Sequence, residues 1–82
     1  MGNIKFYATR WCGDSRRALK VMDERQVEYD WIDIDKDSQA EIFVKETNHG
    51  NRSVPTIVFP DGTILVEPSN QELIEKLESF SL

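Results

Sequence analysis

Ile4, Phe6 and Ala8 alternate with Lys5, Tyr7 and Thr9, a period of two that predicts a strand over residues 3–8. The period then lengthens. From residue 13 to 26, Ala18, Leu19, Val21 and Met22 recur at helical spacing with Arg and Lys between them, which predicts a first helix. Residues 27–34 carry Val, Tyr, Trp and two Ile among acidic residues and read as a second strand. Because a helix joins the two strands, they are expected to run parallel. Ser38-Gln39-Ala40-Glu41 has the form of a capping box, and Ala40, Phe43, Val44 and Thr47 follow at i, i+3, i+4 and i+7. This predicts a second helix over residues 38–48, stopped by the left-handed formers of Asn48-His49-Gly50-Asn51.

Residues 53–59 form a strand that begins at Pro55, a place where no ladder donor is needed. Pro60-Asp61-Gly62 is a turn, and residues 63–66 make a second short strand, so residues 56–66 are expected to form an antiparallel hairpin. Glu67-Pro68 ends it. Ser69-Asn70-Gln71-Glu72 is another capping box, opening a helix whose apolar residues are Leu73, Ile74, Leu77 and Phe80. The order is βαβαββα, an α/β arrangement without repeats or linkers, in one domain over residues 1–82.

Composition narrows the function. With 82 residues, 39% hydrophobic and 30% charged, the chain can build one core, and no apolar run reaches the length of a membrane span. The first strand starts with no apolar leader before it, so a cytoplasmic location is expected. A net charge of −5 argues against nucleic-acid binding, which rests on a basic face that neutralises phosphates. A single cysteine excludes an intrachain disulfide, and no Cys/His constellation suggests zinc. Asp33, Asp35 and Asp37 alternate, but a calcium loop's glycine and distal Glu are missing at the required spacing. They read as a solvated strand end and helix start, and His49 reads as a loop residue.

The chemistry gathers at Thr9-Arg10-Trp11-Cys12-Gly13-Asp14-Ser15-Arg16-Arg17, where the first strand runs into the first helix. A thiol there faces the unpaired N–H groups of a first helical turn and the positive end of its dipole, which favour thiolate over thiol. Arg10, Arg16 and Arg17 add positive charge, and Asp14 opposes them. Of the arginines, Arg16 is the expected stabiliser of the thiolate, with a modest effect. Cys12 is thus read as a nucleophile and not as a small core hydrophobe.

Taken together, these features resemble the glutaredoxin family and its thioredoxin fold, with a four-stranded mixed sheet and helices on both faces. Trp11-Cys12-Gly13-Asp14-Ser15 sits where the family has its Cys-x-x-Cys or Cys-x-x-Ser motif, and Ser53-Val54-Pro55-Thr56 resembles the loop ending in a cis-proline. The Trp-Cys-Gly start, the Val-Pro-Thr strand and the Pro-Ser before the last helix are most similar to the small bacterial members that include the mycoredoxins. The resemblance implies a redox enzyme in which Cys12 attacks and the Val54 backbone pairs with a bound thiol. Pro55 would be the cis-proline facing the sulfur. It further implies that Arg10, Trp11, Gly13, Arg52 and Ser53 border the small-thiol site on one side, and Glu67, Ser69 and Asn70 on the other.

Two departures bear on mechanism. Ser15 replaces the second cysteine, on the same helical face as Cys12, where its hydroxyl could bond the thiolate but cannot resolve a disulfide. The glycine pair of glutathione-binding members is replaced at Val66-Glu67-Pro68-Ser69-Asn70, which argues for a thiol other than glutathione. The resemblance therefore implies a monomeric monothiol oxidoreductase with no tightly bound cofactor. Its partners would be protein mixed disulfides and a low-molecular-weight thiol: mycothiol, bacillithiol or glutathione. The alternative is a single-cysteine iron–sulfur carrier, whose Cys-Gly-Phe-Ser motif this chain alters at Asp14 by adding negative charge beside the cluster's thiolates.

Overall fold

The alternating stretch near the start of the chain becomes the centre of the molecule. In a computed structural model that describes residues 3–80, the elements are β1 (Ile4–Ala8), α1 (Gly13–Glu24), β2 (Tyr29–Asp33), α2 (Ser38–Thr47), β3 (Thr56–Val58), β4 (Ile64–Val66) and α3 (Asn70–Phe80). The apolar role assigned to the Phe80 side chain lies outside the described residues. The four strands order as β2-β1-β3-β4, with β2 and β4 at the edges. β1 runs parallel to β2 with Phe6 opposite Trp31, and antiparallel to β3 with Phe6 opposite Ile57. β3 and β4 form the expected hairpin, Ile57 opposite Leu65.

The period of two in β1 feeds two separate cores. Ile4, Phe6 and Ala8 pack with Ala18, Val21 and Met22 of α1, Ile57 of β3, and Leu73 and Leu77 of α3. Phe6 is wholly buried and stacks on Trp31 at 5.9 Å between ring centroids. On the opposite face Tyr7 meets Phe43 at 4.9 Å, beside a cluster of Ile34, Ala40, Val44 and Val54 against which Cys12 is packed. Helices therefore cover both faces, α1 and α3 on one and α2 on the other, as expected for the thioredoxin fold.

Several boundaries move, each for a local reason. α1 stops at Glu24, two residues early, because Gln26 takes φ 57° and donates its N–H to the Asp23 carbonyl while Val27 donates to Met22. That pair of bonds closes a helix end, so Val27 belongs to the cap and β2 starts at Tyr29. Ser38 is not the cap of α2. The carboxylate of Asp37 accepts the N–H groups of Gln39 and Ala40, both at 3.1 Å, and Glu41 is engaged by Arg52 instead of reaching back. The second capping box stands as expected: Ser69 Oγ accepts the Glu72 N–H at 3.1 Å and Glu72 accepts the Ser69 N–H at 2.8 Å. Residues 53–55 remain a loop, and β3 starts only at Thr56. α2 ends as predicted, with His49 at φ 56° and Gly50 at φ 94°.

Candidate active site

The strand-to-helix turn places Cys12 as the N-cap of α1, with extended backbone (φ −80°, ψ 124°) and a carbonyl that accepts the Arg16 N–H. Among the described residues no side chain caps this helix end, which leaves its first-turn donors turned toward whatever sits at the cysteine. Cys12 is half-buried and free, and its S–H donates to the Val54 carbonyl at 3.9 Å. The next bond, Val54–Pro55, is cis. Pro55 in turn accepts the Glu67 N–H at 2.9 Å, so one chain of contacts runs from the cysteine through the proline loop to the start of α3. Glu67 takes φ 47°, the left-handed conformation that favours glycine, although the glycine pair is absent.

The predicted residues divide by place. Cys12, Val54, Pro55 and Glu67 are linked as described. Gly13 opens α1 and, its chain neighbours and its own helix backbone apart, no described heavy atom lies within 4 Å of where a side chain would start. Asn70 accepts a 2.7 Å bond from Arg17, which also pairs at 3.3 Å with Asp14, two residues beyond the cysteine, and so offsets that carboxylate. The Arg16 side chain is exposed and makes no hydrogen bond or ion pair among the described residues, while Arg17 ties α1 to α3. Ser69 uses its hydroxyl in the cap. Ser53 is half-buried, its carbonyl accepting the Thr56 hydroxyl at 2.7 Å. Arg10 is exposed and lines a hollow of about 370 Å³ with Trp31, Ile32, Asp33, Lys36 and Asp37, to which Cys12 does not contribute. Ser15 departs from expectation: it is fully buried and its hydroxyl bonds neither Cys12 nor any other described group.

Trp11 is 67% exposed, and its indole N–H donates to Asp35 at 2.9 Å. Arg52 reaches the same Asp35 carboxylate and also Glu41. Arg52 and then Trp11 hold the Asp35 carboxyl below its ordinary range, and the two carboxylates push the guanidinium's pKa further up. Asp35 and Glu41 were not recognised as site residues from sequence, because a carboxylate run at a strand end looks the same whether it faces water or a partner 17 residues away. Among the described residues no group of three or more His, Cys, Asp or Glu side chains gathers to hold a metal, and no helix is long and apolar enough to cross a membrane.

Comparison with known proteins agrees with this geometry. The family described as Glutaredoxin matches residues 4–64, more than half of the chain. Mycoredoxin 1 of Corynebacterium glutamicum is 44% identical over 81 residues, spanning 99% of this chain and 100% of that protein. In fold, a variant of the thioredoxin-like protein BC3987 superposes with a TM-score of 0.81 at 24% identity, covering 95% of this chain and 97% of that one. Glutaredoxin 1 of Archaeoglobus fulgidus gives 0.74 at 22% identity, over 94% and 87% of the two chains.

Proposed function

The chain belongs to the glutaredoxin family as a mycoredoxin-like redox protein, and on that footing we propose that it is a monothiol thiol–disulfide oxidoreductase. The Cys12 thiolate attacks the small-thiol sulfur of a protein mixed disulfide. A new disulfide forms between Cys12 and the small thiol, the old one breaks, and the protein leaves as its thiolate. A second small-thiol anion then attacks that adduct at the small-thiol sulfur, releasing the symmetrical small-molecule disulfide and restoring Cys12. Each exchange makes one S–S bond and breaks one, so electrons balance.

The observation that carries this reading is the place of Cys12: the sole cysteine, at an uncapped helix N-terminus, with its sulfur toward the Val54 carbonyl. The thiolate gains from the helix end and from Arg16, while the backbone at Val54 and Pro55 aligns the incoming thiol's peptide-like part. Trp11 and Gly13 border it on one side and Glu67, Ser69 and Asn70 on the other, with Arg10 at the margin. We take mycothiol as the small thiol, on the likeness to a mycoredoxin and on the altered Val66-Glu67-Pro68 turn. The setting is the cytoplasm, where free thiols persist, with the chain acting as a monomer. The iron–sulfur alternative gains nothing from the comparisons, and Asp14 beside the thiol weighs against it.

The test is reduction of a protein–mycothiol mixed disulfide with mycothiol as the second thiol. The parent protein is expected to turn over and Cys12→Ala to be inactive with unchanged circular dichroism. Activity in Cys12→Ala would overturn the mechanism. Equally fast reduction of the glutathione mixed disulfide would overturn the choice of thiol.

A further inference from the structure

Two carboxylates close around a single guanidinium, and one of them also holds Trp11, the residue before Cys12. The Oδ2 atom of Asp35 accepts from the Trp11 indole N–H at 2.9 Å, while its Oδ1 takes an Arg52 Nη2–H. The Arg52 Nε–H goes to Glu41. At 67% exposure the Trp11 ring has little packing to fix its plane, so its one directional bond sets where the ring stands. Arg52 is a cation whose Nε and Nη2 already face two carboxylates, so an incoming carboxylate that approaches its remaining Nη1 donors meets the repulsion of both anions.

We propose that Asp35 is a positioning residue for thiol selection: it fixes the Trp11 ring next to Cys12 and, with Glu41, withholds the Arg52 guanidinium from a carboxylate on the incoming thiol. The inference rests on the oxidoreductase reading above. Its chemistry is a preference against carboxylate-bearing thiols, maintained by residues that touch neither sulfur nor substrate. The geometry also gives Arg52 a different part from the substrate contact that the family resemblance implied for it.

Two substitutions at one position separate the roles, because Asn keeps an acceptor for the indole but gives up the charge pairing, whereas Ala gives up both. In a Trp31→Phe background, where Trp11 is the only indole, Asp35→Ala is expected to shift the emission maximum and raise acrylamide quenching, and Asp35→Asn to leave both near the parent. For a 2-mercaptoethanol mixed disulfide, which carries no carboxylate, Asp35→Ala is expected to raise KM severalfold with kcat and the rate of Cys12 alkylation unchanged. For the glutathione mixed disulfide, the Asp35→Asn/Glu41→Gln double variant is expected to lower KM by about tenfold, the size of one charge-assisted hydrogen bond. Adding Arg52→Gln should abolish that gain. Unaltered Trp11 emission in Asp35→Ala, or an unmoved glutathione KM in the double variant, would overturn the proposal. A parent protein that reduces no mixed disulfide would instead sink the oxidoreductase reading, and the emission measurement would still decide whether Asp35 holds the ring.

Discussion

Ser15 stands three residues beyond Cys12, fully buried, with a hydroxyl that has no partner among the described residues. A buried donor left unmet costs about 1–3 kcal/mol, while deleting one oxygen leaves only a small void. Ser15→Ala is therefore expected to raise the stability measured in urea by about 1 kcal/mol and to leave the rate of Cys12 alkylation unchanged. A destabilised variant, or slower alkylation, would mean that the hydroxyl bonds the sulfur after all. The position was legible in the sequence, since Ser15, Ala18 and Met22 share one stripe at i, i+3 and i+7 and all three are buried. What the residue type concealed was the burial itself, because a serine among arginines reads as a wet surface. Cys12 was read as a nucleophile for the converse reason, that charged neighbours on both sides argue against a fully buried thiol, and the structure leaves it half-buried.

At the level of elements, type and order followed from periodicity, whereas the ends depended on single polar atoms. Asp37 and Ser38 are adjacent and chemically eligible, and pattern alone favoured the serine because Glu41 completes a box with it. In the fold Glu41 is drawn to Arg52, eleven residues away, so the local pattern loses to a tertiary partner. Asp37→Ala is expected to cost about 1 kcal/mol in urea unfolding and Ser38→Ala less than about 0.5 kcal/mol. Equal costs would refute the cap assignment. The hairpin turn offers a test by pH. Lys76 Nζ, 2.7 Å from Asp61, and then the Thr63 N–H hold that carboxyl at about 2, against an ordinary 3.8. A carboxyl that is more acidic folded than unfolded adds stability above its unfolded value and loses it as pH falls through the folded one. The stability gap between the parent and Asp61→Asn should thus be widest at neutral pH and close between about pH 4 and 2. A gap constant down to pH 2 would mean that the turn draws nothing from the ion pair.

For the molecule as a whole, β1 carried most of the information. Its alternation announced two faces, its connection to β2 through a helix implied a parallel pair, and the hairpin supplied the antiparallel half of the sheet. Sequence did not disclose the network of Trp11, Asp35, Arg52 and Glu41, because those contacts span up to 24 positions and join segments whose own patterns are merely polar.

The sheet's two edges are unlike. β2 ends the ladder with Asp30 and Asp33 among its five residues, and β4 ends it with Ile64, Leu65 and Val66, three uncharged residues whose first and last side chains are 40% and 38% exposed. An open strand edge is a template on which another chain can polymerise, and it is blunted either by charge or by brevity. This sheet uses one means at each edge. Two copies that meet through β2 bring like charges together, and a strand adding to β4 finds only three residues to pair with. The protection at β4 is therefore a matter of length. Past Val66 the chain turns at Glu67, which takes φ 47°, and continues into Pro68, so a longer β4 would meet first a charge and then a residue without an N–H, both of which blunt an edge.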